Sequence, residues 1–178
     1  MKFSRAEIPD IIIIEPDVFT DERGYFFESF KQDELNDYLG YNINFCQDNE
    51  SESSYGVLRG LHYQLNPYAQ SKLVRVIKGK VLDVSVDIRI GSPTFGKNLA
   101  VELSEENKKQ LFIPKGFAHG FVVLSETAIF CYKVDNYYDK ESDRGIAYND
   151  PNLEINWKIK NEDMKISNKD ITLPSLKF

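Results

Sequence analysis

Within residues 80–90 apolar and polar side chains alternate from Leu82 onward, with Leu82, Val84, Val86, Ile88 and Ile90 set against Asp83, Ser85, Asp87 and Arg89. Successive side chains of an extended strand point to opposite faces, so this period of two specifies a strand with one apolar and one wet face, and excludes a helix. The preceding segment, 72–78, joins it through Lys78-Gly79-Lys80, a short glycine-bearing connection of the hairpin kind. Leu99, Val101 and Leu103 alternate in the same way after a turn at Gly91-Ser92-Pro93-Thr94. Further strands are expected at 25–30, 45–53, 56–64, 121–124 and 128–134. Only 31–39, ending before Gly40, reads as a helix of any length, with 161–169 as a short terminal one.

Aromatic residues make up 13% of the chain, 12 Phe and 10 Tyr among them, and such residues suit pleated surfaces and lined cavities better than helical bundles. A length of 178 residues with 42% hydrophobic content supports one core, hence one domain over 1–178. Many short strands at this spacing form a sandwich or barrel. The expected fold is mainly β, a cupin-like jelly-roll β-barrel with a few short helices at the periphery and C-terminus. Such barrels enclose ligand cavities, which makes inward polar residues informative.

A net charge of -6 and a pI near 5.0 argue against a nucleic-acid partner, which is held mainly by Lys and Arg, but leave room for one anionic small molecule on a local cationic cluster. The apolar run Ile11 to Ile14 stops at Glu15 and Pro16, too short for a leader or a membrane span. A soluble, cytoplasmic protein is expected, and its two cysteines, Cys46 and Cys131, read as buried thiols without a disulfide.

With only two histidines, His62 and His119, the chain lacks the several His ligands of a cupin metal site, so no metal and no cofactor are expected. In an unbroken strand over 56–64, Leu58, Gly60, His62 and Gln64 share a face, and Gly60 leaves space for a ligand beside His62. That arrangement suits a base in a cavity, and equally a core histidine satisfied by a carbonyl. Arg59 then falls on the opposite face, and reaches the same ligand only if the strand is bulged or ends there. On 128–134, Tyr132 lies between Phe130 and Val134, where a phenol can act as a proton donor or serve as an ordinary core tyrosine. Gln47, Asn49, Ser51 and Ser53 form a polar stripe that reads sugar hydroxyls or faces solvent. Asp21-Glu22-Arg23-Gly24 has the composition of a turn, and the two glycines around His119 in Pro114-Lys115-Gly116-Phe117-Ala118-His119-Gly120-Phe121 let backbone approach a ligand.

Read together, these segments resemble the dTDP-4-dehydrorhamnose 3,5-epimerase family almost end to end. The resemblance rests on Arg23-Gly24-Tyr25-Phe26-Phe27-Glu28, Gln47-Asp48-Asn49, Gly56 through Gln64, Lys72 through Val76, Pro114 through Phe121, Tyr132-Lys133, Tyr138 and Ser167-Asn168-Lys169-Asp170. It implies a metal- and cofactor-independent isomerase in which His62, oriented by Asp170, accepts a proton, Tyr132 donates one, and Lys72 stabilises an enolate. It further implies substrate contacts from Arg23, Phe26, Glu28, Gln47, Asn49, Arg59, Lys72, His119, Asp143 and Lys169, with Tyr138 stacked on the thymine. Family members are homodimers, so a strand or loop exchanged between subunits would carry Arg23 or Glu28 into the neighbour's site. Ser71 and Tyr148 depart from the family's usual Gly and Trp and leave the pocket's shape open. The same residues also fit an epimerase that inverts one carbon only or takes another 4-keto-6-deoxy sugar nucleotide, a non-catalytic sugar-nucleotide-binding cupin, and a metal-dependent cupin isomerase.

Overall fold

The structure is a computed structural model and describes residues 1–177. Its strands are β1 (Lys2–Arg5), β2 (Ile12–Glu15), β3 (Phe19–Asp21), β4 (Gly24–Phe26), β5 (Gln47–Ser54), β6 (Val57–Gln64), β7 (Lys72–Lys78), β8 (Lys80–Asp87), β9 (Asn98–Ser104), β10 (Gln110–Ile113), β11 (Phe117–Val123), β12 (Thr127–Val134), β13 (Asp143–Gly145) and β14 (Lys165–Ile166). Two helices accompany them, α1 (Gln32–Leu39) and α2 (Asn168–Ile171). One sheet has the order β1-β2-β10-β7-β12-β5, the other β13-β6-β11-β8-β9 with β14 beside β6, and β3 pairs with β4 alone. From β5 to β8 each strand lies in the sheet opposite its predecessor, and the alternation resumes from β10 to β12. This is a mainly β, cupin-like jelly roll.

The connection at Gly79 is therefore not a hairpin: β7 and β8 lie in different sheets, and Gly79 turns the corner between them. Its φ of 75° is left-handed, and a Cβ there would come within 2.0 Å of the Thr127 carbonyl oxygen, so only glycine fits.

Apolar side chains fall into three layers. Val74, Val76, Val81, Leu103, Phe117, Phe121 and Phe130 fill the space between the sheets. Leu58, Leu61, Leu82, Val84, Val86 and Val122 lie on the outer face of one sheet, beneath Ile146, Leu153 and Trp157 of the C-terminal segment. Ile12, Ile14, Leu73 and Phe112 cover the outer face of the other, beneath Leu35 of α1 and Ile43.

This layering revises the reading of the alternating stripe. The strand ends at Asp87, and Ile90 beyond it is 95% exposed. Its polar face is not wet: Asp83, Ser85 and Asp87 are buried, because the apolar face packs under the C-terminal segment and turns the polar one into the barrel. The helix expected over 161–169 is replaced by a 3-10 turn at Asn161–Asp163, the strand β14 and the four-residue α2. The strand expected over 25–30 stops at Phe26, and the run Ile12–Glu15 forms β2. Cys46 is exposed and Cys131 half-buried with its thiol 3.2 Å from Glu50 Oε2, so neither is the buried cysteine expected. Helix α1 does form, capped by Gly40 in the left-handed conformation. No helix among the described residues is long and apolar enough to cross a membrane.

Candidate active site

At one end of the barrel the inter-sheet core gives way to a cavity of about 600 Å³, lined among others by Asn49, Ser51, Arg59, His62, Lys72, His119, Phe130, Tyr132, Lys169 and Asp170. The two sheets contribute different chemistry. From β6 and β11 come Arg59, His62 and His119, and from β5, β7 and β12 come Asn49, Lys72 and Tyr132.

His62 and Arg59 share the cavity because β6 is bulged. His119 pairs with His62 and Phe121 with Arg59, so three steps along β6 match two along β11. The extra residue reverses the alternation after Gly60, and Leu58 and Leu61 both turn outward into the core beneath the C-terminal segment. The face-sharing of Leu58, Gly60 and His62 expected from an unbroken strand is thus replaced by one of Arg59 and His62. At the bulge a Cβ on Gly60 would lie 2.5 Å from Gly120 Cα, and φ at Gly60 is 134°.

His62 Nε2 lies 2.6 Å from Asp170 Oδ1, while Asp170 Oδ2 accepts from the Gly60 amide at 3.3 Å. The Asp170 amide in turn donates to Ser167 Oγ, the N-cap of α2, at 3.1 Å. Burial alone would raise the Asp170 pKa, but the bonds from His62, Gly60 and Ser167 outweigh it and hold the carboxyl below its ordinary range. Asp170 is therefore an anion that fixes the imidazole's orientation and leaves its other ring nitrogen free for the cavity.

A second carboxylate–imidazole pair lies deeper: His119 Nε2 is 2.8 Å from Asp83 Oδ2, with both residues buried. Desolvation lowers the His119 pKa despite Asp83 and so favours its neutral form. Among the described residues Asp83 Oδ1 and Ser85 Oγ have no hydrogen-bond partner. Lys72, whose ammonium donates to the His62 carbonyl at 3.4 Å, is brought down to a pKa of about 8 by burial, with Asp83 and Asp143 opposing the fall. Tyr132 is pushed up by burial, less a smaller effect of Arg59, and keeps its proton through the neutral range.

The stripe on β5 faces inward. Asn49 is paired with Tyr132 and Ser51 with Phe130, Gln47 donates to Asn49 Oδ1 at 2.8 Å, and Arg59 donates to Ser53 Oγ at 3.2 Å. Near the cavity Lys169 forms an ion pair with Asp143, whose Oδ2 also accepts from the Tyr138 hydroxyl at 3.2 Å. Arg23, Phe26 and Glu28 are not in the cavity wall. Arg23 sits in the β3–β4 turn, 85% exposed and bound to Asp21, and Phe26 is 67% exposed. Asp83, Ser85 and Ser167 are not marked as functional by the sequence. The first two carry a signal, polar residues inside the strongest strand of the chain, but it is the same signal as that of a solvent face. Among the described residues no three His, Cys, Asp or Glu side chains converge as metal ligands would.

A family model described as dTDP-4-dehydrorhamnose 3,5-epimerase matches residues 5–177. The chain is 56% identical over 171 residues to a dTDP-4-dehydrorhamnose 3,5-epimerase of Shigella flexneri, covering 96% of this chain and 93% of that one. The crystal structure of the dTDP-4-dehydrorhamnose 3,5-epimerase from Elizabethkingia anophelis superimposes with a TM-score of 0.95 at 54% identity, covering 98% and 96% of the two chains. A dTDP-6-deoxy-D-glucose-3,5-epimerase from Legionella pneumophila, solved in complex with dTDP-4-keto-L-rhamnose, superimposes with a TM-score of 0.94 at 50% identity, covering 98% and 92%.

Proposed function

This chain belongs to the dTDP-4-dehydrorhamnose 3,5-epimerase family, and on that premise we propose that His62 and Tyr132 convert dTDP-4-dehydro-6-deoxy-D-glucose to dTDP-4-dehydro-L-rhamnose. The observation that carries the assignment is the opposition of the two groups: His62, anchored 2.6 Å from Asp170, belongs to one sheet, Tyr132 to the other, and both line one cavity.

The chemistry follows from the ketone. A 4-carbonyl acidifies the hydrogens on C3 and C5, because each carbanion is delocalised onto oxygen as an enolate, and the reaction needs no net oxidation. In the glucose-configured ring both hydrogens are axial on one face. His62 takes a proton from that face, Tyr132 returns one to the opposite face, and exchange with water resets both groups. Repetition at the second carbon completes the inversion. Lys72 supplies positive charge to the developing oxyanion, a contribution of about 3–4 kcal/mol for a preorganised donor. Arg59, His119 and Lys169 hold the sugar and diphosphate, Gln47, Asn49 and Asp143 add polar contacts, and Tyr138 stacks on the thymine.

Arg23, Phe26 and Glu28 complete the site of a partner subunit in a homodimer. This is supported by the β3–β4 hairpin, which exposes Phe19, Tyr25 and Phe26 at 65%, 58% and 67%. Residues 1–178 are read as one domain, and the enzyme works in the cytoplasm on a free dTDP-sugar.

The test is incubation with dTDP-4-keto-6-deoxyglucose in D₂O, followed at C3 and C5 by NMR. Deuterium at both carbons with inversion at both is expected, and its absence from the His62→Ala protein. Exchange at one carbon only would make this a single-centre epimerase, and exchange at the wild-type rate without His62 would remove its role as base.

A further inference from the structure

Gln64 ends the segment that carries His62 yet lines no part of the cavity around it, and its side chain is 8% exposed with both donors and its acceptor engaged. Its Nε2 donates to the Tyr68 carbonyl at 2.6 Å and to the Tyr137 carbonyl at 3.2 Å, and its Oε1 accepts from the Asp139 amide at 2.7 Å. The Tyr137 carbonyl and the Asp139 amide belong to the two peptide groups that flank the Cα of Tyr138. One primary amide thus brackets the backbone of Tyr138 on both sides, while the Tyr138 ring stays 58% exposed.

Other bonds hold the ends of the loop. Asn136 Nδ2 donates to the Pro67 carbonyl at 2.9 Å and Gln70 Nε2 to the Asn136 carbonyl at 2.8 Å, which ties 136 to the 67–70 segment. The Tyr137 amide donates to Asn136 Oδ1 at 3.1 Å, and the Ser142 amide to the Asp139 carbonyl at 3.2 Å and Asp139 Oδ2 at 2.8 Å, while Gln64 takes the two groups that face each other across Tyr138, the Tyr137 carbonyl and the Asp139 amide. The Tyr138 hydroxyl donates to Asp143, and Asp143 pairs in register with Gln64 across β13 and β6. Backbone and ring of Tyr138 are therefore both referred to the end of β6, two residues from the base.

We propose that Gln64 is a positioning residue for nucleotide recognition: its amide clamps the peptide groups around Tyr138 and so holds the aromatic ring at a fixed place relative to His62. This rests on the reading of Tyr138 as the stacking platform for the base. An exposed ring on an unclamped loop would have to be ordered at each binding event, and that cost falls on affinity rather than on proton transfer.

Gln64→Met keeps the volume and removes all three hydrogen bonds. It is expected to raise KM for the dTDP-sugar about tenfold, within the range of a lost base–aromatic stack, with kcat within about twofold of wild type. In a Tyr138→Ala background the same change should add less than about twofold, because the clamp then has no ring to place. Gln64→Glu, which retains the acceptor and folds with a like-sized side chain, should behave as Gln64→Met does. Binding of dTDP alone, followed calorimetrically, should weaken in parallel. If Tyr138→Ala raises KM but neither Gln64 variant does, the clamp is overturned and the stacking reading stands. If Tyr138→Ala leaves KM unchanged, both fall. A loss confined to kcat, or a full KM effect of Gln64→Met persisting without Tyr138, would equally overturn the assignment.

Discussion

His62 and Asp170 stand 108 positions apart in sequence and 2.6 Å apart in space, and the carboxylate has its second oxygen committed to the amide of Gly60 on the same strand as the histidine. Asp170 therefore reads the position of the β6 backbone and the imidazole together. Asp170→Asn retains the shape but offers a neutral partner, which permits the wrong tautomer and gives no support to the imidazolium formed on proton abstraction. A fall in kcat of about 10²–10⁴-fold is expected, with KM little changed. Because the folded state holds the Asp170 pKa down, this residue contributes stability at neutral pH that is lost as pH falls below the ordinary carboxylate range. Acid denaturation of Asp170→Asn should accordingly be shallower than that of wild type, measured by circular dichroism between pH 7 and about pH 3.

In the proposed mechanism Tyr132 separates abstraction from delivery. Burial holds its proton on, which suits a donor and not a second base at neutral pH. Tyr132→Phe removes the proton and leaves the ring packed beside Phe130, 6.1 Å away between centroids. Deuterium should continue to enter at C3 or C5 from His62's face while formation of the inverted product falls by about 10²-fold or more. Equal loss of both signals in the same NMR experiment would show that Tyr132 does something other than protonate the far face.

The strands were legible where one face met the core and the other did not, as in β9 and β12, because burial on one side alone leaves a period of two in the sequence. The sheet to which each strand belongs was not. Lys78-Gly79-Lys80 has the composition of a hairpin, and only the pairing of β7 with β12 and of β8 with β11 makes it a corner. A bulge or a strand end was required for Arg59 and His62 to share a ligand, but which of the two, and its place at Gly60, was hidden, since a single unpaired residue changes the facing of Arg59 relative to His62 without altering composition. Asp83 and Ser85 are ambiguous in sequence for a related reason: a barrel interior that holds a polar cavity leaves the same alternation as a strand facing water. The place of the Arg23–Glu28 segment outside the cavity could not be read from local pattern at all.

In the proposed mechanism Lys72 sets an alkaline limit. In the free enzyme its ammonium is charged below about pH 8 and neutral above, so kcat/KM should decline through pH 8. Its effect on stability runs the other way: with the folded pKa below the unfolded value, the protonated lysine costs stability below pH 8 and the cost is relieved as pH rises toward about 10.4. Lys72→Met should lower kcat by about 10²–10³-fold and abolish the limb. Asp83→Asn should keep the limb and move it below pH 8, because Asp83 is the largest charge supporting the ammonium, ahead of Asp143, and faces it from the opposite sheet beside a His119 that burial keeps neutral. A profile of kcat/KM against pH for the three proteins distinguishes these outcomes, and an unchanged limb in Asp83→Asn would count against the coupling.

Gly60 is where the fold and the chemistry depend on the same atom's absence. A methyl group there would lie 2.5 Å from Gly120 Cα and 3.0 Å from the His119 carbonyl oxygen, on a residue whose φ of 134° no L side chain adopts without strain. Neither neighbour is a flexible side chain, so β6 and β11 would have to separate at the bulge. Gly60→Ala is expected to cost about 2–5 kcal/mol, strain and overpacking together, seen as a fall in the urea midpoint at constant slope. The separation would also carry the Gly60 amide away from Asp170 Oδ2 and turn His62 out of register with Tyr132. Activity of the folded fraction should therefore fall alongside stability, and Gly120→Ala, whose Cβ would lie 2.9 Å from Gly60 Cα in the same crossing, should reproduce both effects. A Gly60→Ala protein with wild-type kcat at temperatures well below its Tm would show that the close crossing serves the barrel alone.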